Sequence, residues 1–130
     1  MTYLEIGPLV AALALVTFMA VTAAKPSRMI KSAWVFPAGL SAAFLAFSLW
    51  TVMKEGLLGF WPGHSETLWG NQVWFDLLLA IGIGYSFVAP RAKALGMNLY
   101  LWMVLILSSG CIGLLAMVSR YLFLKEKAAG

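Results

Sequence analysis

Charge is scarce in this sequence. Asp, Glu, Lys and Arg make up 11% of its 130 residues and 62% are hydrophobic, against about 25% charged in an ordinary soluble domain. A chain this short leaves much of its surface exposed even when folded, so this composition points to lipid as the solvent. Cysteine is nearly absent: Cys111 stands alone inside an apolar run and excludes an internal disulfide. With one histidine, His64, and that one cysteine, the ligands for a zinc or iron site are too few, and no metal is expected. A glycine-rich phosphate loop and a Ser/His/Asp set are missing, which leaves nucleotide chemistry and triad hydrolysis without residues. Two-residue alternation is missing too, which excludes a membrane β-barrel.

What remains is apolar runs punctuated by basic residues. About 20 apolar residues cross a bilayer core as a helix, and four such stretches lie at about residues 6–24, 34–53, 73–89 and 99–119. All five prolines fall at proposed boundaries or in loops, where a missing N–H does least harm. The expected fold is all-α, with residues 1–130 forming a single integral-membrane domain of four transmembrane helices in a compact antiparallel bundle. The first run has no basic segment before it and is expected to be a retained helix rather than a cleaved leader.

The net charge of +4 comes from basic residues beside the spans: Lys25, Arg28 and Lys31, then Arg91 and Lys93, then Arg120, Lys125 and Lys127. That placement speaks for topology signals and phospholipid contacts, and against nucleic acid as a partner. The two short loops hold five Lys or Arg residues and the other side four. Early charges usually dominate, so the expected location is a bacterial inner membrane with the short loops cytoplasmic and both termini outside.

Polar residues gather in FWPGHSETLWGNQVWFD, residues 60–76. Asp76 is the one charged side chain inside a proposed span, where an uncompensated carboxylate costs about 1–3 kcal/mol. In an antiparallel bundle Arg120 lies level with it, making an Asp76–Arg120 ion pair the expected partnership. Such a pair would make the stability losses of Asp76→Asn and Arg120→Met non-additive. The alternative is a working carboxylate, so Asp76, His64 and Glu66 are the candidates for acid–base chemistry. Trp34, Trp50, Trp61, Trp69, Trp74 and Trp102 fall near span ends and are expected as interface anchors. Ala80, Gly82, Gly84 and Ser86, with Ser109, Gly110 and Gly113, form small-residue faces for close helix packing. SSGCIG, residues 108–113, also leaves room for a lipid-like ligand.

The C-terminal half, WFDLLLAIGIGYSFVAPRAKALGM and then LWMVLILSSGCIGLLAMVSRYL, resembles small bacterial four-helix membrane proteins of unknown function. It is also distantly similar to the plant neoxanthin-synthase-like family. The likeness covers roughly residues 70–122 and rests on Phe75, Asp76, Leu77, Arg91, Gly96, Gly113, Leu114 and Arg120. It implies four spans and a carotenoid connection.

The leading expectation is a noncatalytic module that packs with lipid, partner membrane proteins or further copies of itself. A second is an enzyme or binder for a hydrophobic isoprenoid such as a carotenoid or quinone. A third is a small proton-coupled exporter, although Glu5 lies at the edge of the first span. No cofactor is expected beyond a bound lipid, carotenoid or quinone.

Overall fold

The structure is a computed structural model describing residues 2–24 and 31–130. The first basic loop, with Lys25 and Arg28, lies outside the described residues apart from Lys31. The chain forms two compact units, residues 1–30 and residues 31–130.

Helix α1 spans Tyr3–Ala24 and is apolar around its whole circumference, with no buried residue. Its 22 residues rise about 33 Å, enough to cross a bilayer core. It starts earlier than its apolar run because Glu5 reaches back to accept the backbone N–H of Thr2 at 2.9 Å, satisfying one of the donors a helix start leaves over. Pro8 therefore sits in the second turn. Thr17 and Thr22 donate their hydroxyls to the carbonyls of Leu13 and Phe18, which hides both polar groups within the helix.

Residues 31–130 form α2 (Val35–Glu55), a 3₁₀ turn at Leu57–Gly59, α3 (Phe60–Ser65), α4 (Leu68–Ala94), α5 (Leu99–Ser109) and α6 (Cys111–Ala129). The described residues contain three helices long and apolar enough to cross a membrane: α1, α2 and α4. The stretch over 99–119, expected as one span, is instead two helices. Gly110 breaks it, with φ 64° and ψ −128°, a conformation glycine adopts freely because it lacks a Cβ.

Beyond the break α6 folds back along α5. A Cβ on Gly113 would lie 2.8 Å from the Leu105 carbonyl oxygen and 2.9 Å from the Ile106 Cα, so the two backbones meet there. The reversal also sets the direction of α6 relative to α4. Ile81 lies beside Gly110, and Gly84 beside Leu114, so contacts advance together along both helices and the two run parallel. The expected antiparallel arrangement of these segments is corrected accordingly. Helix α2 runs antiparallel to α6: Ser41 donates to the Ile112 carbonyl and Ser119 to the Trp34 carbonyl, both at 2.8 Å.

Helix α6 is thus flanked by α2, α4 and α5. Met117 on α6 is completely buried among Ala92, Met97 and Ile106, with Tyr85, Trp102 and Leu114 packed against them. At the α2 entrance Ser32 has φ 58°, a left-handed conformation costing about 1 kcal/mol in a residue with a Cβ. Its backbone N–H donates to the Glu126 carboxylate at 2.9 Å, which offsets that cost.

Both ends of α4 differ from the expectation, and α6 continues to Ala129 instead of ending at Ser119. Helix α4 begins at Leu68 instead of Val73, and it runs through Pro90 to Ala94 instead of stopping there. Of the small residues on α4, Gly84 turns toward α6, with a Cβ there only 2.9 Å from Leu114 Cδ2, and Gly82 has nothing within 4 Å. Ala80 and Ser86 are exposed on the outer face. Ser109 donates to the Leu105 carbonyl at 2.6 Å and sits with Gly110 and Gly113 in the hairpin. Thermal unfolding in detergent is expected to show Gly113→Val destabilised by about 2–3 kcal/mol, with Gly82→Ala unchanged within about 0.5 kcal/mol.

Candidate functional site

The polar stretch 60–76 is folded. Thr67 is extended, and its side chain accepts the Gly70 N–H at 2.9 Å, starting α4 with an N-cap. Helix α3 lies against this first turn so closely that a Cβ on Gly70 would run into the carbonyl oxygen of Gly63. Asn71 donates its amide to the His64 carbonyl at 2.7 Å. The His64 ring lies tilted by 35° against Trp74 at 5.0 Å between centroids, and Phe60 stacks on the same indole at 6.2 Å. His64 is half-buried in this aromatic group, and its Nδ1 is buried without a hydrogen-bond partner among the described residues.

Glu66 is exposed at the end of α3, and Asp76 is exposed on the third turn of α4. No hydrogen bond or ion pair joins either to His64 among the described residues, and no group of three or more potential metal ligands occurs among them.

The expected Asp76–Arg120 ion pair is not formed in this structure. Its premise was antiparallel packing, but α6 runs parallel to α4. With Gly84 opposite Leu114, Arg120 is level with the end of α4, about 21 Å along the axis from Asp76 at 1.5 Å per residue. The Arg120 guanidinium instead lies 5.5 Å from the centre of the Phe123 ring, within the range of a cation–π contact.

Arg120 stands at the mouth of a groove of about 520 Å³ between α2 and α6. Ala38, Ala42 and Leu45 line it from α2, and Ala116, Arg120 and Phe123 from α6. Trp34 closes the upper end, meeting Phe123 edge to face at 5.5 Å and 88°. Ser41 and Ser119 also border the groove, but their hydroxyls are committed to backbone carbonyls across the interface. The walls are therefore apolar, with one cation at the rim. A second cavity of about 410 Å³ lies at the α4–α5 turn, lined by Tyr85, Lys93, Met97 and Asn98.

Exposure divides the six tryptophans. Trp69 is 79% exposed, and Trp50 and Trp61 are also exposed, whereas Trp34, Trp74 and Trp102 are half-buried against neighbouring side chains. Apart from Trp34 and Arg120, expected as an anchor and an ion-pair partner, the groove residues carry no signal in the sequence. Ala38 and Ala42 are four apart on α2, a spacing that lets helices approach closely, but in an alanine-rich chain it does not stand out.

Compared with family models, curated proteins and solved structures, the chain matches none of them.

Three outcomes follow for unfolding in detergent. Asp76→Asn and Arg120→Met should be additive within about 0.5 kcal/mol, because the two sites share no partner. Thr67→Ala should cost about 1 kcal/mol through the lost cap, and Gly70→Ala about 1–3 kcal/mol through overpacking.

Proposed function

We propose that this chain is a small noncatalytic module of a bacterial inner membrane, whose role is to pack with lipid and partner membrane proteins. The observation that carries the reading is the surface: Phe36, Phe44, Leu49, Phe75, Leu79, Ile83, Phe87 and Leu107 are all exposed around residues 31–130. A contiguous apolar exterior of this kind is stable only in a nonaqueous setting or under a partner.

Charge gives the module a direction. The α6 reversal gathers Lys31, Arg91, Lys93, Arg120, Lys125 and Lys127 at one end of residues 31–130, with Glu126 as the acidic residue among them. Lys54, Glu55, Glu66 and Asp76 lie toward the other end. The positive-inside tendency then assigns the basic end to the cytoplasm. In place of an outside C-terminus, the C-terminus of residues 31–130 is cytoplasmic. Helices α1, α2 and α4 cross, while α5, only 11 residues and about 16 Å long, enters and returns through α6 as a re-entrant hairpin. Its non-helical residue Gly110 is half-buried, with Ile81 beside it, and irregular backbone at membrane depth needs such protein neighbours.

Single-cysteine variants in a Cys111→Ser background test this reading in intact cells and inverted vesicles. Glu66→Cys should be labelled from outside by a membrane-impermeant maleimide, and Lys127→Cys only after inversion. Labelling of both positions from the same side would contradict the topology, and recovery of the chain in the soluble fraction would contradict the membrane reading itself.

A further inference from the structure

The α2–α6 groove combines three properties that together select a ligand. Its walls are apolar from Ala38 to Leu45, because Ser41 and Ser119 turn their hydroxyls to the carbonyls of Ile112 and Trp34. From Trp34 to Leu45 the α2 wall is about 16 Å long at the helical rise, a channel for an extended hydrocarbon chain rather than a compact polar molecule. The volume of about 520 Å³ is within the ordinary range of ligand sites.

At the rim stands Arg120, whose guanidinium lies over Phe123 at 5.5 Å and has no acidic partner among the described residues. The acid that belongs to this end, Glu126, accepts the Ser32 backbone N–H at 2.9 Å and does not line the groove. A guanidinium is suited to a phosphate, which it can engage through two parallel N–H donors. Lys31, Lys125 and Lys127 are exposed at the same end and add a field that favours an anionic over a zwitterionic headgroup.

We propose that this groove holds one acyl chain of an anionic phospholipid of the surrounding bilayer, with the lipid phosphate on Arg120. The assignment rests on the membrane reading above and gives it a lipid class. Trp34 and Phe123, edge to face at 5.5 Å, flank the glycerol region, where aromatic rings are at home between headgroup and hydrocarbon.

The full chain, purified in a mild detergent, would be exposed to equal amounts of phosphatidylglycerol and phosphatidylcholine, and the retained lipid counted by native mass spectrometry. One phosphatidylglycerol should be kept about fivefold in preference to phosphatidylcholine, the effect of about 1 kcal/mol per basic residue at a lipid surface. Arg120→Gln should reduce that preference, with the three lysines retaining part of it, and Lys54→Gln, at the opposite end, should keep it. Ala42→Phe should fill the groove and reduce retention of both lipids, and Ala116→Leu repeats the block from the α6 side, with circular dichroism checking that each variant is folded. Inorganic phosphate should not raise the melting temperature, while phosphatidylglycerol should. Equal retention of the two lipids by the unmodified chain would overturn the proposal, as would an unchanged preference in Arg120→Gln. A lipid-free dimer abolished by Ala42→Phe would overturn it as well, by putting a second copy in the groove. None of these failures touches the membrane reading, which the fractionation and labelling test decides separately.

Discussion

The glycine at position 110 is the constraint on which the rest of residues 31–130 depends. Its φ of 64° and ψ of −128° reverse the chain between two apolar helices without a loop. Gly113, one turn further on, lets the backbones touch where a Cβ would meet the Leu105 carbonyl at 2.8 Å. With the chain reversed, α6 lies parallel to α4 and antiparallel to α2. Every feature of functional interest follows: the burial of Met117, the hydroxyl ties from Ser41 and Ser119, the separation of Arg120 from Asp76, and the collection of basic residues at one end.

In lipid, helices gain little from hiding apolar side chains from one another, so association relies on close packing and hydrogen bonds. The contacts of α6 fit that regime. They use a glycine against Leu105, a glycine on α4 against Leu114, and two serines that each donate to a carbonyl across the α2 interface. Where α2 and α6 do not close completely, small alanines leave the groove that Arg120 overlooks. The same small residues thus allow close packing at one level and open space at another.

Much of the fold was legible in the sequence because long apolar runs between basic residues and prolines have few helical readings. The limits of α1 and α2 fall within three residues of the expected ones. The α5–α6 break was not read, although SSGCIG was singled out: small residues in an apolar run are compatible both with packing between separate helices and with a tight reversal, and length favoured one span. Pro90 misled in the opposite direction, since α4 tolerates the loss of one hydrogen bond near its end. At the candidate site, Asp76 stood out for a charge in an apolar run, but its partner was inferred from a bundle direction that the glycine reverses. His64, Phe60 and Trp74 form their aromatic group because Thr67 caps α4 and Gly70 admits α3, a local geometry that the residues signal only weakly.

The direction of α6 is therefore the claim to measure. Spin labels placed at Lys93 and Lys127, and in a second protein at Glu66 and Lys127, would report it by pulsed dipolar spectroscopy in a Cys111→Ser background after reconstitution into bilayers. A reversal at Gly110 predicts that 93–127 is the shorter distance by a wide margin. A continuous fourth span antiparallel to α4 would make 66–127 the shorter one, and that result would contradict the account.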